Sequence, residues 1–316
     1  LIPTESNRVQ EIARPRVHAI VVNWNGAALL PSCLRALEAQ SGTFELHIAV
    51  VDNGSTDGSL ALLARDFPTA EPIALPANLG FGRANNVALE RALAAGAEFA
   101  LLVNNDVELE PGYLAALLEA ARAQPDAALL TGTLLFREPQ AGVERVNSTG
   151  LSIDWFGRAR DRDFQVPRTS LHRADGPADG VSGGAALARL SALREIGLFD
   201  PDYFAYYEDV DLSLRAKAAG YRCWYAGNAL ARHRFGATFG AGSPRQRYLL
   251  GRNHLRTAAR HLPPMRAAAV VAGTAIYRVG FQAPRELLRG HGALASAEVR
   301  AAAAGMLAAA RAWKKR

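Results

Sequence analysis

From residue 17 to about 135 the chain alternates short apolar runs with longer amphipathic stretches. Val17–Asn23, Leu46–Val51, Pro72–Leu75, Glu98–Val103 and Ala127–Leu135 are short, rich in aliphatic residues and bounded by Gly, Asn, Asp or Pro. Such runs read as strands buried on both faces. Between them, Ala27–Gln40, Arg83–Ala95 and Pro111–Ala123 carry apolar residues at helical spacing; Leu29, Leu30, Leu34 and Leu37 form one face of the first. Gly96 stops the second and Pro111 opens the third, as helix ends favour. The loop 52–59 is dense in turn residues, and Thr56 or Asp57 is placed to cap a further helix. Strands alternating with helices predict an α/β fold with a mostly parallel twisted sheet flanked by helices.

The rhythm breaks at Arg137. Arg137–Asp179 is rich in Gly, Pro, Arg and Asp without a sustained period, and reads as loops with short strands over the site. Val181–Ala186 is a stretch of small residues that lets backbone or ligand approach closely. Ser191–Gly197 and Asp209–Ala219 read as helices, Tyr221–Tyr225 as the last strand, and everything beyond Arg234 as Ala-rich helix. The organisation expected is a flexible arm at 1–16 in place of a signal peptide, an α/β unit at 17–240 that divides into 17–135 and 136–240 where the rhythm breaks, and a helical C-terminal extension at 241–316.

Composition narrows the class. Cys33 and Cys223 are the only cysteines, which excludes a disulfide framework or thiolate metal cage and fits a reducing, cytoplasmic compartment. The longest uncharged apolar stretch near the C-terminus, Ala267–Tyr277, falls short of the roughly 20 residues a bilayer span needs. Residues 231–316 hold 16 Lys and Arg against 2 Asp and Glu, net +14; residues 1–230 hold 20 against 28, net −8. A basic tail on an acidic body points to an anionic partner: a membrane surface, a nucleic acid or a phosphorylated substrate.

Three acidic positions carry candidate chemistry. Asp52 and Asp106 end or follow the second and fourth strands, and in an open parallel sheet the ligand crevice lies outside the carboxyl ends of the strands. A carboxylate there suits a hard divalent cation that completes its shell with substrate phosphates. Glu208 and Asp209 follow Tyr203, Phe204, Tyr206 and Tyr207, a setting that desolvates a carboxylate and raises its pKa toward general-base use. Each also has a plainer reading: an Asx-turn at Asp52, a turn at Asn104–Asp106, an N-cap at Asp209. His233 sits between two arginines in what reads as a loop. The Gly80–Gly82 turn could offer N–H groups to a diphosphate or simply pack a helix. Neither a Gly-x-Gly-x-x-Gly nor a Walker A sequence is present.

Six segments, in order, resemble the family-two glycosyltransferases, inverting enzymes with the GT-A nucleotide-sugar fold. They are Val-Val-Asn-Trp-Asn-Gly at 21–26, Val-Asp-Asn-Gly-Ser-Thr-Asp-Gly-Ser at 51–59 and Asn-Leu-Gly-Phe-Gly-Arg-Ala-Asn-Asn at 78–86. The others are Asn-Asn-Asp at 104–106, Ser-Gly-Gly-Ala at 182–185 and Tyr-Tyr-Glu-Asp-Val-Asp-Leu-Ser-Leu-Arg at 206–215. The resemblance implies donor contacts at Asn23, Asn25, Asp52, Asn78, Gly80, Asn85, Asn104 and Asn105, with Asp52 on the base or ribose. It implies a Mg²⁺ or Mn²⁺ site at Asp106, completed by His233. It makes 17–240 a catalytic domain, with 17–135 the nucleotide-sugar-binding half and 136–240 the acceptor-binding half, makes Asp209 the catalytic base and places Ser182, Gly183, Gly184 and Glu208 on the acceptor side. Asn104 replaces the first acid of the family's Asp-x-Asp motif, as in rhamnosyltransferase-like members, which favours dTDP-rhamnose as donor, with UDP-sugars second. Arg245-Gln246-Arg247-Tyr248 stands where processive synthases carry Gln-x-x-Arg-Trp, so transfer of one sugar to a glycan or lipid-linked acceptor is expected. A peripheral position on the inner face of a membrane would follow.

Two other readings compete. A sugar-1-phosphate nucleotidyltransferase shares the alternating sheet but needs a charged, Gly-rich loop after the first strand, where this chain has Asn-Trp-Asn-Gly-Ala-Ala. A non-catalytic nucleic-acid or anion binder would use the basic tail, which lacks interleaved aromatics for base stacking.

Overall fold

A computed structural model describes residues 14–234 and 242–314. The first half runs β1 (Arg16–Asn23), α1 (Leu30–Glu38), β2 (Glu45–Asp52), α2 (Ser59–Asp66), β3 (Glu71–Ala74), α3 (Phe81–Ala94), β4 (Phe99–Asn104), β5 (Val107–Leu109), α4 (Tyr113–Ala123) and β6 (Ala127–Phe136). The second half runs β7 (Val146–Ser148), β8 (Leu151–Ile153), β9 (Ala159–Asp161), β10 (Gly176–Ala178), β11 (Ala185–Arg189), α5 (Leu190–Ile196), α6 (Glu208–Ala218) and β12 (Arg222–His233). Four helices follow: α7 (Pro244–His261), α8 (Pro264–Tyr277), α9 (Ala283–Leu288) and α10 (Gly292–Trp313).

The main sheet has the order β10-β12-β6-β11-β4-β1-β2-β3, with β5 added to β12 and β7 to β6. β3, β2, β1 and β4 are parallel neighbours, as are β6 and β12. Successive residues of β1 point to opposite faces. Val17, Ala19 and Val21 pack with Leu30, Leu34 and Leu37 of α1 and Leu114 and Leu117 of α4. Ile20 packs in a second core with Ala88, Leu89 and Ala92 of α3 and Leu193 of α5. Both faces are covered, which is why the strands read as nearly continuous apolar runs.

Several expectations need correction. Ala185–Arg189 is a central strand, antiparallel to both β4 and β6; its small residues hid it among loop-like neighbours. The last strand is twelve residues long and carries a register shift between Tyr225 and Leu230, so His233 ends a strand and does not sit in a loop. Pro111 precedes α4, and Gly112 with φ 83° is its N-cap. Arg16 belongs to β1, its guanidinium donating to the carbonyls of Ala95 and Gly96; the rest of the expected arm, up to residue 13, lies outside the described residues, as do residues 235–241. Finally, α10 is long and apolar enough to cross a membrane by length and composition, contrary to the expectation of no such segment. It packs along α7: a Cβ at Gly305 would lie 2.6 Å from Leu255 Cδ1, and buried Glu298 accepts from Arg247 (3.3 Å) and from Arg278.

Candidate active site

The register places three strand ends side by side: Asn23 pairs with Asp52, and Val22 with Asn104. The side chains there are knitted together. Asn23 Nδ2 donates to Asp52 Oδ2 (3.3 Å), Asn105 Nδ2 donates to Asn23 Oδ1 (2.8 Å), and Ser55 N–H donates to Asp52 Oδ1 (2.9 Å). Asn25, at φ 49°, accepts the Thr56 N–H (2.8 Å). Asp57 accepts from Ala27 N–H (2.8 Å) and Ser59 N–H (3.2 Å), tying the loop to the turn that precedes α1 and to the start of α2. Asn85 donates to the Phe81 carbonyl inside α3. Asn23, Asn25, Asp52 and Asn85 are thus tied to the loops and helix around the crevice and are not among the residues that line its cavity.

That cavity has a volume of about 390 Å³. Of the expected residues, Asn78, Gly80, Asn104, Asn105, Asp106, Ser182, Gly183, Gly184, Glu208, Asp209 and His233 all line it. Trp24, Asn53 and Gln246, which lie inside segments quoted above but carry no expected role, line it as well, as do Arg160 and Asp161, to which no motif points. Arg160 and Asp161 come from the β8–β9 hairpin, so the aperiodic segment does fold over the site.

Asp106 and His233 meet because β12 pairs with β5, bringing His233 opposite Val107. His233 Nε2 faces Asp106 Oδ1 at 3.3 Å, and both residues are 8% exposed. His233 Nδ1 lies 2.8 Å from Asn147 Oδ1; in the tautomer that donates from Nδ1 to this amide oxygen, the Nε2 lone pair is turned to the carboxylate. Asp106 Oδ1 is buried and receives no hydrogen bond. Two oxygen and nitrogen donors facing each other in this way fit a divalent cation, with a second-layer amide orienting the imidazole. Among the described residues no cluster of three or more His, Cys, Asp or Glu forms a closed cage, so the remaining ligands would have to come from substrate and water.

Opposite them, Glu208 and Asp209 open α6. The chain enters that helix through Tyr206 and Tyr207 at φ 68° and 73°, a left-handed pair that costs side-chain-bearing residues about 1–2 kcal/mol each. Asn253 of α7, fully buried, offsets this by donating to the carbonyls of Ala205 (2.9 Å) and Tyr206 (2.7 Å). Gly183 N–H donates to Asp209 Oδ2 at 2.9 Å. Burial pushes the Asp209 carboxyl up, against the N–H groups of Gly183 and Val210; burial and the charge of Asp209 push Glu208 up as well. Asp161 is raised to about 6, by burial first, with Asp209 adding and Ser148 and His233 opposing. Asp211 faces elsewhere: burial would raise it, but His261 (2.8 Å), Arg215 (2.9 Å) and Arg260 (3.1 Å) hold its carboxyl low.

The Gly80 turn is built for packing. Leu79 N–H goes to Asn53 Oδ1, Gly80 N–H to Asn78 Oδ1 and Phe81 N–H to the Phe204 carbonyl. A Cβ at Gly80, with φ 86°, would lie 2.4 Å from that carbonyl oxygen. These N–H groups are thus taken within the protein.

Comparison with known proteins agrees with this geometry. A family model described as glycosyltransferase like family 2 matches residues 15–248. An N-acetylglucosaminyl-diphospho-decaprenol L-rhamnosyltransferase of Mycobacterium tuberculosis is 33% identical over 205 residues, 60% of this chain and 66% of that protein. The rhamnosyltransferase WbbL of Escherichia coli is 27% identical over 159 residues, 46% of this chain and 57% of that protein. The match thus spans 66% and 57% of the length of these relatives, less than two thirds of each. Among solved structures, GalNAc-T7 with UDP, GalNAc and Mn²⁺ superposes with a TM-score of 0.62 at 12% identity, covering 79% of this chain and 48% of that one. The mannosyltransferase PcManGT of Pyrobaculum calidifontis, with GDP-Man and Mn²⁺, gives 0.57 at 17% identity, covering 96% and 88%. The fold is therefore the GT-A nucleotide-sugar fold, and with its model matched from residue 15 to 248 the chain belongs to glycosyltransferase like family 2.

Proposed function

We propose that this protein moves one sugar from a nucleoside-diphosphate sugar to a hydroxyl of a lipid-linked glycan, with inversion at the anomeric carbon. The observation that carries the reading is that Asp209, oriented by Gly183 N–H, opens on the same cavity as the Asp106–His233 pair. Asp209 takes the proton of the acceptor hydroxyl. The oxygen attacks the anomeric carbon from the face opposite the diphosphate, the bond from that carbon to the diphosphate oxygen breaks, and no covalent enzyme intermediate forms. Asp106 and His233 would hold Mg²⁺ or Mn²⁺, which when bound supplies charge stabilisation to the departing diphosphate. The relatives named as rhamnosyltransferases support rhamnose as the sugar moved, in keeping with dTDP-rhamnose ahead of UDP-sugars as donor; the diphospho-decaprenol substrate in one name supports a lipid diphosphate acceptor, and we place the work at the cytoplasmic face of a membrane.

The test is a panel of nucleotide sugars incubated with protein, Mn²⁺ and a short-chain prenyl diphosphate-linked sugar. Release of nucleoside diphosphate with dTDP-rhamnose first is expected. Nucleoside triphosphate formed from pyrophosphate would point to a nucleotidyltransferase, and neither product to a binding protein. Chelation should abolish transfer, and Asp106→Ala should do so with an unchanged melting temperature; full activity in excess chelator would overturn the cation assignment.

A further inference from the structure

A second cavity, of about 550 Å³, adjoins the first and shares Asn78 and Phe204 with it. It is lined by three guanidinium groups, Arg83, Arg245 and Arg252, and by one carboxylate, Asp202. Asp202 already pairs with the buried Arg256 at 2.9 Å, so the cavity keeps an excess of positive charge. Two of these arginines, Arg83 and Arg252, are hydrogen-bonded to uncharged groups. Arg83, on α3, donates through Nε to the Pro201 carbonyl (3.0 Å); Arg252, on α7, donates to the adjacent Asp202 carbonyl (3.0 Å) and to Asn253 Oδ1 (2.9 Å). Two helices thus pin two guanidiniums to consecutive carbonyls of one loop, an anchorage that orients the forks without neutralising them. Arg245 lies over the rings of Phe204 (5.2 Å) and Trp24 (6.0 Å), and both rings also line the first cavity. Oriented guanidinium forks match phosphate oxygens two at a time.

We propose that this second cavity binds the diphosphate of the acceptor, so that a glycosyl diphosphate reaches Asp209 with its sugar while its phosphates rest on Arg83 and Arg252. The inference rests on the transfer reading above. Asp106 and His233 line the first cavity and not the second, so a donor diphosphate held there leaves the second cavity for another anion. Arg245, on its aromatic platform, stands at the junction of the two.

The experiment compares wild type with Arg83→Gln, Arg252→Gln and the double variant, using two acceptors: a short-chain prenyl diphospho-N-acetylglucosamine and octyl N-acetylglucosaminide, which has no phosphate. Each lost charge-assisted contact should raise KM for the diphosphate acceptor by about tenfold or more. KM for the octyl glycoside and the Kd of the nucleoside diphosphate should stay as in wild type. Equal losses on both acceptors, or a parallel loss of nucleoside diphosphate affinity, would overturn the assignment. Inorganic pyrophosphate titrated calorimetrically in excess chelator separates this from the transfer reading. Wild type should bind it and the double variant about tenfold more weakly; unchanged pyrophosphate binding sinks the anion site. If no acceptor is glycosylated but the pyrophosphate difference persists, the transfer reading fails and the anion site stands. Arg83→Gln alone changes an exposed side chain, so the test survives if Arg252→Gln fails to fold.

Discussion

Asp209 and Glu208 are neighbours in one cavity wall, yet only one is aimed. Asp209 receives the Gly183 N–H, while Glu208 Oε2 is buried without a hydrogen bond. Removing a general base costs about 10²–10⁴-fold in rate, so Asp209→Asn should lower kcat by that factor at unchanged donor Kd. Near-wild-type kcat in Asp209→Asn together with a collapse in Glu208→Gln would identify the other carboxylate as the base. Because burial raises the Asp209 pKa, kcat should fall, as pH drops, at a higher pH than for an ordinary Asp. Glu208 gives a stability prediction of defined sign. Its folded pKa lies above the unfolded value, so at neutral pH the folded state holds a proton that the unfolded chain gives up, and this cost to stability disappears as pH falls toward the ordinary Glu value. Glu208→Gln should therefore raise the melting temperature at neutral pH, with a shrinking gain on acidification; a loss at neutral pH would contradict this. Asp211 has the opposite sign, its carboxyl held low by His261, Arg215 and Arg260. Its contribution is present above the ordinary Asp pKa and lost as pH falls through the folded one. Asp211→Asn takes the fully buried anion away from the partly buried Arg215 and Arg260, and should cost about 3 kcal/mol by denaturant titration. Two residues separate Asp209 from Asp211, about 200° round a helix, and that difference in direction makes one catalytic in this reading and the other structural.

At the scale of elements, the entry to α6 is the feature that sequence conveyed least. The Tyr-Tyr-Glu-Asp run announced an acidic helix start, but not the two left-handed tyrosines or the helix α7 that stabilises them. Nothing in the pattern around Asn253 links it to residues 47 or 48 positions earlier. Asn253→Ala should let the turn relax, and misplacement on the scale of an ångström can cost about 10²-fold in rate. The expected signature is a fall in kcat with donor Kd unchanged and a displaced acid limb of the kcat profile. A fall in melting temperature alone, with kcat intact, would reduce Asn253 to a structural role. The same contrast explains what else was legible. Strands β1, β2, β4 and β6 are buried on both faces, so their aliphatic runs stand out. β11 is Ala-Ala-Leu-Ala-Arg between β4 and β6, where close neighbours demand small residues that resemble a loop. β12 reads as a shorter strand in the sequence because Gly227 and Asn228 interrupt it at the register shift. His233, Asn147 and Asp161 converge only through tertiary pairing of β5, β7 and β9 with their neighbours, which leaves no local period.

The charge asymmetry takes a definite form in the whole molecule. The C-terminal helices satisfy their buried acids internally, since Glu298 is bound by Arg247 and Arg278, and Glu286 by Arg247 and His291. Their outer side keeps apolar groups in water: Ile276 is 72% exposed, Phe281 55%, Leu287 61% and Leu288 91%. Exposed Arg285 and Arg289 stand among them in the chain. Apolar side chains interleaved with arginines suit the boundary between headgroups and acyl chains, and a lipid-linked acceptor has to be met there. Full-length protein should therefore co-sediment with anionic vesicles at low salt and much less with neutral ones. Polybasic attraction is worth about 1 kcal/mol per residue near such a surface, so Arg285→Gln with Arg289→Gln should weaken vesicle binding by about an order of magnitude or more. Leu288→Asp should weaken binding even at salt concentrations that screen the arginines, since the apolar contribution does not depend on charge. Transfer to the octyl glycoside should be unaffected in both variants, because these residues lie outside both cavities. Equal sedimentation with anionic and neutral vesicles, or binding untouched by all three substitutions, would assign these side chains to some other contact.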